Sequence, residues 1–191
     1  ARHIINLGIV GTSLSSDNAC LKSRAAAESI LNSGSSYVTT LRVPMVLGEG
    51  DYASFALARK ARNLIALTFR ADSLEQPIDS QDVIVGLLSA AQLPIKNRVL
   101  ELAGPETLTR GALIKRAGRI VGSKPVVISI PLCIGTLLAA VLESISSSPP
   151  LTRAMLGVLD HDDEIDTRES CESLGIKLTP LDETLHRVIR P

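Results

Sequence analysis

The chain has 191 residues, with 20 basic and 20 acidic side chains and a sequence pI near 7.1. That length supports one domain, or one domain with a small lobe, around a sizeable core. Balanced charge with two Phe, two Tyr and no Trp argues against nucleic-acid binding, which needs a basic face and stacking aromatics.

Three cysteines, Cys20, Cys133 and Cys171, stand far apart and outside any C-x-x-C pattern. They point to a reducing, cytoplasmic setting and to no metal site. In chain order, residues 3–10 (HIINLGIV) read as the strand that feeds the first helix. Gly8 and Gly11 form a G-x-x-G there, but a dinucleotide loop needs a third glycine and a helix opening at once on the turn. Residues 12–18 are instead a polar loop ending in N-cap candidates. The helix that follows holds Ala25, Ala26, Ala27, Ile30 and Leu31, a strong helix former with one apolar side. Asn32-Ser33-Gly34 stops it, with Gly34 placed for a left-handed cap. Residues 37–43 are β-branched and apolar, and Pro44 ends that strand because it has no N–H to give. Strand, helix and strand make half of a parallel α/β sheet.

Residues 52–66 read as an amphipathic helix carrying a small basic group, Arg59, Lys60 and Arg62. A solvated helix face is the plainer reading of that group, and an anion site for a substrate or cofactor phosphate is the other. Asp79 or Ser80 caps a helix over 81–91 in which Asp82 is read as structural. Residues 98–102 form a strand. Thr107 or Thr109 caps a helix over 110–121, which Gly122 stops. Residues 126–130 form another strand. The 17 residues 126–142 lack charge, but Pro131 and Gly135 interrupt them, and a membrane span needs roughly 20 apolar residues. A buried helix over 132–145 is therefore expected, with lipid contact the lesser reading. Residues 146–150 are a linker, 151–159 a short helix, and the acidic run 160–166 a solvated loop rather than a metal site. A last helix covers 182–189 and carries His186 on its surface.

Several motifs share one resemblance. Ser23-Arg24 with Glu28, then Leu41-Arg42-Val43-Pro44 and Val46-Leu47-Gly48-Glu49-Gly50, resemble the later part of an atypical or extended short-chain dehydrogenase/reductase. That superfamily includes NAD-dependent epimerases/dehydratases, NmrA-like regulators and a complex I accessory subunit. Gln76-Pro77-Ile78, Asp82-Val83, Leu102-Ala103-Gly104-Pro105 and Leu174-Gly175-Ile176 fit its atypical branch. The resemblance implies a partial Rossmann-like, doubly wound α/β sheet, last strands only, with a mostly helical C-terminal substrate lobe. It implies a division into 1–50, the end of the NAD(P)-binding domain, and 51–191, the remaining sheet elements and the substrate-type lobe.

The same resemblance puts Cys20 at the position of the family's catalytic tyrosine and Arg24 at that of its lysine. The family's serine would fall near Leu7-Gly8, where there is no hydroxyl, with Thr12 and Ser13 just beyond. NAD or NADP is the implied cofactor, with Gly8, Arg24, Pro44, Met45 and Val46 on its binding side. A non-catalytic NAD(P)-binding scaffold and an oxidoreductase or epimerase for a small or lipid-like substrate are both expected readings. The Gly-rich loop lies outside these residues, so the chain reads as a fragment whose first strand has an open edge. Its expected partner is the missing N-terminal half, or a second copy, docked on that edge.

Overall fold

The structure is a computed structural model that describes residues 2–93, 97–146 and 148–189. Ser147, in the expected linker, lies outside the described residues. Strand β1 (His3–Ile9) leads through a loop to helix α1 (Ala19–Asn32) and strand β2 (Tyr37–Val43). β3 (Val46–Leu47) and α2 (Tyr52–Arg62) follow, then β4 (Ile65–Phe69), β5 (Leu74–Glu75) and β6 (Ile78–Asp79). Next come α3 (Ser80–Gln92), β7 (Arg98–Glu101), β8 (Leu108–Thr109) and α4 (Arg110–Ile120). The chain ends with β9 (Val126–Ile130), α5 (Leu132–Ile145), α6 (Arg153–Val158), α7 (Arg168–Leu174) and α8 (Leu181–Ile189).

The main sheet is parallel, in the order β1-β2-β7, with Leu7 opposite Leu41 and Leu41 opposite Leu100. β2 is the central strand, and Val38, Thr39, Thr40 and Leu41 are all at most 1% exposed. A strand covered on both faces reads as an unbroken apolar and β-branched run, which is why residues 37–43 were legible. Leu41 and Val43 pack with Val83 and Ala90 of α3, and Ile5 of β1 joins that cluster. The opposite face meets α1, where Glu28 takes a bidentate pair from Arg42 at 3.2 and 2.6 Å. A second core joins α2, α4 and α8 to the short sheet of β4 and β9 through Leu57, Ala61, Leu113, Ile114 and Leu185. This is the expected partial Rossmann-like α/β sheet with a mostly helical remainder. Among the described residues no strand pairs with the outer edge of β1.

Three local readings need correction. Gly34 is not a left-handed cap: Ser33, in right-handed helical geometry, terminates α1. The helix expected over 52–66 ends at Arg62, because Asn63 turns extended and 65–69 becomes β4. Ala66 and Thr68 point inward while Ile65 and Leu67 point out, and pairing with β9, sixty residues on, settles the strand. The acidic run is anchored as well as solvated. Arg70 pairs with Asp160 at 3.0 Å and Asp162 at 3.2 Å, and the Gln76 side chain bonds both backbone groups of Ile165.

Other expectations hold closely. Asp79 caps α3, Thr109 caps α4, and Gly122 is left-handed with φ +72°. Asp82 is structural, accepting from the Thr179 amide and hydroxyl at 2.7 and 2.8 Å. One further reading needs correction: α5 is 14 residues long but is not the buried helix expected over 132–145, since only Gly135 and Ala139 are buried while Ile134, Leu137, Leu138, Val141 and Ile145 are exposed. Among the described residues no helix is long and apolar enough to cross a membrane.

Candidate functional site

In open parallel α/β sheets, ligands gather outside the carboxyl ends of the strands. Here the loop after β1 supplies that end. The Val10 amide donates to the Val43 carbonyl, and Gly11 turns with φ +78°. Thr12 closes the turn onto the Ile9 carbonyl through both its amide and its hydroxyl. No helix opens on Gly8 and Gly11. The chain runs on to Asn18, whose side chain caps α1 by accepting from the Cys20 and Leu21 amides at 2.8 and 3.2 Å.

An open cleft of about 760 Å³ lies along this loop. Ser13, Asp17 and Asn18 line one side, and Glu143, Arg153 and His161 the other. Arg153 is already paired with Glu143 at 2.8 Å. The imidazole of His161 packs against Gly11 so closely that a Cβ at Gly11 would lie 3.3 Å from it. His161 had no signal in the sequence beyond the acidic run around it, because its neighbour is 150 positions away.

The residues singled out from the sequence fall in three places. Cys20 is half-buried in the first turn of α1, and Arg24 is exposed one turn later, on the same side of the helix at i+4 spacing. Gly8 lies within β1 over the Glu28–Arg42 pair, and a Cβ there would meet Glu28 Oε1 at 2.7 Å. Pro44, Met45 and Val46 follow β2. The Met45 carbonyl accepts from the Ile78 amide at 2.9 Å, and Val46 pairs with Ile78. The structure thus brings Pro44, Met45 and Val46 to the carboxyl end of β2, while Gly8 stays within the sheet.

Met45 also lines a smaller, more enclosed cavity of about 220 Å³ between α2, β4 and α4. The basic group of α2 divides there. Arg59 is exposed, Arg62 donates to the Ile189 carbonyl at 2.6 Å, and Lys60 turns inward to Thr68 Oγ1 at 3.1 Å. Burial, followed by the nearby Arg110 cation, pushes the Lys60 ammonium below the usual lysine range. Arg110 is buried against Glu75, with Nη2 and Oε1 2.5 Å apart, and also donates to the Phe69 carbonyl. Burial raises the Glu75 carboxyl, and Arg110 pulls it partly back.

Asp163 borders this cluster, and burial together with the Glu75 charge pushes its carboxyl up to about 6. The folded chain therefore holds a proton between about pH 4 and 6 that the unfolded chain releases. Stability from this group is greatest below that window and is lost as pH rises through it. Asp163→Asn is expected to stabilise the chain at pH 7 by roughly 1 kcal/mol, scaled down because solvent still reaches the carboxyl. Urea titrations of both proteins across pH 4 to 7 check this, and parallel curves would refute it.

Among the described residues no group of His, Cys, Asp and Glu could hold a metal ion. No protein-family model matches the sequence, and no curated protein matches it. Solved structures do match. A nucleoside-diphosphate-sugar epimerase from Pseudomonas aeruginosa is 20% identical with a TM-score of 0.69, covering 98% of this chain and 64% of its own. UDP-glucose 4-epimerase from Thermotoga maritima, solved with UDP-glucose, is 16% identical with a TM-score of 0.69, covering 99% and 62%. A Pseudomonas aeruginosa protein complexed with NADPH is 13% identical with a TM-score of 0.66, covering 98% and 64%. The chain thus spans a little under two thirds of each. At these identities the likeness is one of fold: this chain carries, over nearly all its residues, the Rossmann-like fold of nucleoside-diphosphate-sugar epimerases and of an NADPH-binding neighbour.

Proposed function

We propose that the chain is part of an NAD(P)-binding, short-chain-dehydrogenase-like protein that lacks the usual serine, tyrosine and lysine, a non-classical or non-catalytic member. The observation that carries this reading is what α1 carries at the positions of the family's tyrosine and lysine: the half-buried thiol of Cys20 and the exposed guanidinium of Arg24. A thiol is shorter than a phenol and more easily oxidised, which makes it a poor stand-in as proton donor. Guanidinium can hold a ribose or phosphate, but its proton does not leave. The structural neighbour solved with NADPH supports the cofactor class.

The free edge of β1 supports a partner. Even-numbered residues of β1 bond toward β2, as the Arg2 carbonyl and Val10 amide do, so Ile5 and Leu7 present their backbone groups outward. Leu7 is 45% exposed beside them. An unpaired parallel edge of this kind is completed by another strand, here from the Gly-rich part of such a fold, or from a second copy. Three free, well-separated cysteines suit a cytoplasmic setting.

Calorimetry with NAD(H) and NADP(H) tests this, on the 191-residue chain and on a longer chain that carries the Gly-rich portion. Binding by the longer chain is expected, and silence from both would sink the cofactor reading. Cys20→Tyr with Arg24→Lys is expected to bring turnover that the natural pair lacks. Turnover by the unaltered protein would favour the second reading, an oxidoreductase or epimerase for a small substrate. The half-open apolar cavity beside Met45 is what recommends that alternative.

A further inference from the structure

We infer that the half-open cavity between α2, β4 and α4 binds a small apolar carboxylate, with Lys60 as the residue that holds its anionic end. The walls are apolar, formed by Met45, Ala56, Leu57, Phe69, Leu113 and Leu159. Its volume of about 220 Å³ lies below the roughly 300–1,000 Å³ of common ligand pockets. A nucleotide or dinucleotide is therefore too large, and a single ring or a short acyl chain is the right size.

Charge selects the head group. The described ionic groups acting on Lys60 are Arg110, Glu75 and Arg59. Glu75 is committed to Arg110, which takes Oε1 through both Nε and Nη2. Among the described residues Lys60 itself hydrogen-bonds only the Thr68 hydroxyl, which is neutral. A cation drawn out of water without a carboxylate is costly, and an anion entering the cavity removes that cost. The hydroxyl of Thr68 gives the anion a second donor, since it can turn outward once Lys60 bonds the ligand. This inference concerns the cavity alone and holds whether or not the protein binds a dinucleotide.

Benzoate and its neutral isostere benzamide are the probes, titrated calorimetrically into the full chain. Benzoate is expected to bind more tightly than benzamide by about tenfold or more, the value of a charge-assisted hydrogen bond. Its affinity should fall on the alkaline side, below the pH at which an ordinary lysine loses its proton. Lys60→Met should abolish the preference while leaving benzamide binding intact, and should raise the melting temperature because a half-buried cation without a carboxylate partner is gone. Ala56→Leu, which fills the cavity, should weaken both probes. Equal affinity of the wild-type chain for the two probes, or binding of neither, overturns the assignment. So does a benzoate preference that survives in Lys60→Met. If Lys60→Met does not fold, the wild-type preference and its pH profile still decide.

Discussion

Gly104→Ala is expected to cost about 3 kcal/mol or more, the scale of a severe core defect. A Cβ built at Gly104 would lie 1.9 Å from the Pro77 carbonyl oxygen and 2.8 Å from its carbon. Both are backbone atoms, so no side chain can swing aside. The two segments are also tied. The Gly104 amide donates to the Gln76 carbonyl, and the Gln76 side-chain amide donates to the Gly104 carbonyl at 2.8 Å. The same Gln76 side chain holds Ile165 on its far side, while Leu102 and Ala103 beside Gly104 are fully buried. Relief therefore requires moving the main sheet's exit or the loop after β5. Gly50→Ala is the control. Gly50 has open space around it but φ +78°, so its loss of stability should be near 1 kcal/mol, from backbone strain alone. Urea unfolding of the two variants measures the contrast. Comparable losses would show that close approach is not what Gly104 provides.

Much of this architecture was legible because its local and distant signals agree. Residues 37–43 are mostly β-branched or apolar and sit at the centre of the sheet, so propensity and burial point the same way. Caps at Asp79 and Thr109 bond within two or three residues of themselves and are visible in any window. β4 was misread because Leu64 to Phe69 continues the apolar pattern of α2, and only β9 makes it a strand. α7 lacks a side-chain cap and is seven residues long, so its ends are marked only by Gly175.

The candidate site was harder, for one physical reason. Charged residues announce themselves as charges but not as partners. Arg59, Lys60 and Arg62 look alike along the chain, yet of the three only Lys60 lines the cavity beside Met45, because β4 brings Thr68 to it. Asp160 and Asp162 look solvated until Arg70, ninety residues earlier, takes them. Cys20 and Arg24 were readable only through resemblance, and among the described residues no side-chain partner assigns them chemistry.

Glu75→Gln is expected to cost about 3–5 kcal/mol, because it strands the buried Arg110 guanidinium without its counter-charge. The pair is nearly closed to solvent, with side chains 5% and 8% exposed. Arg110→Met should cost a similar amount by leaving the Glu75 carboxylate alone and the Phe69 carbonyl without its donor at 2.6 Å. Replacing both with methionine should recover most of the loss, since an apolar pair removes the desolvation cost on both sides. Recovery will be incomplete, because Phe69 remains unbonded. The single variants also move Lys60 in opposite directions. Glu75→Gln leaves two cations facing each other, which should lower the Lys60 affinity for protons and raise its affinity for a carboxylate. In Arg110→Met, Glu75 is free to pair with Lys60, and benzoate then has no cation to meet. Stability measured by denaturant and benzoate affinity measured by calorimetry should therefore separate. Both single variants lose stability, and only one loses the ligand. If stability falls but the two variants bind benzoate alike, then Glu75 and Arg110 brace the fold without setting the charge in the cavity.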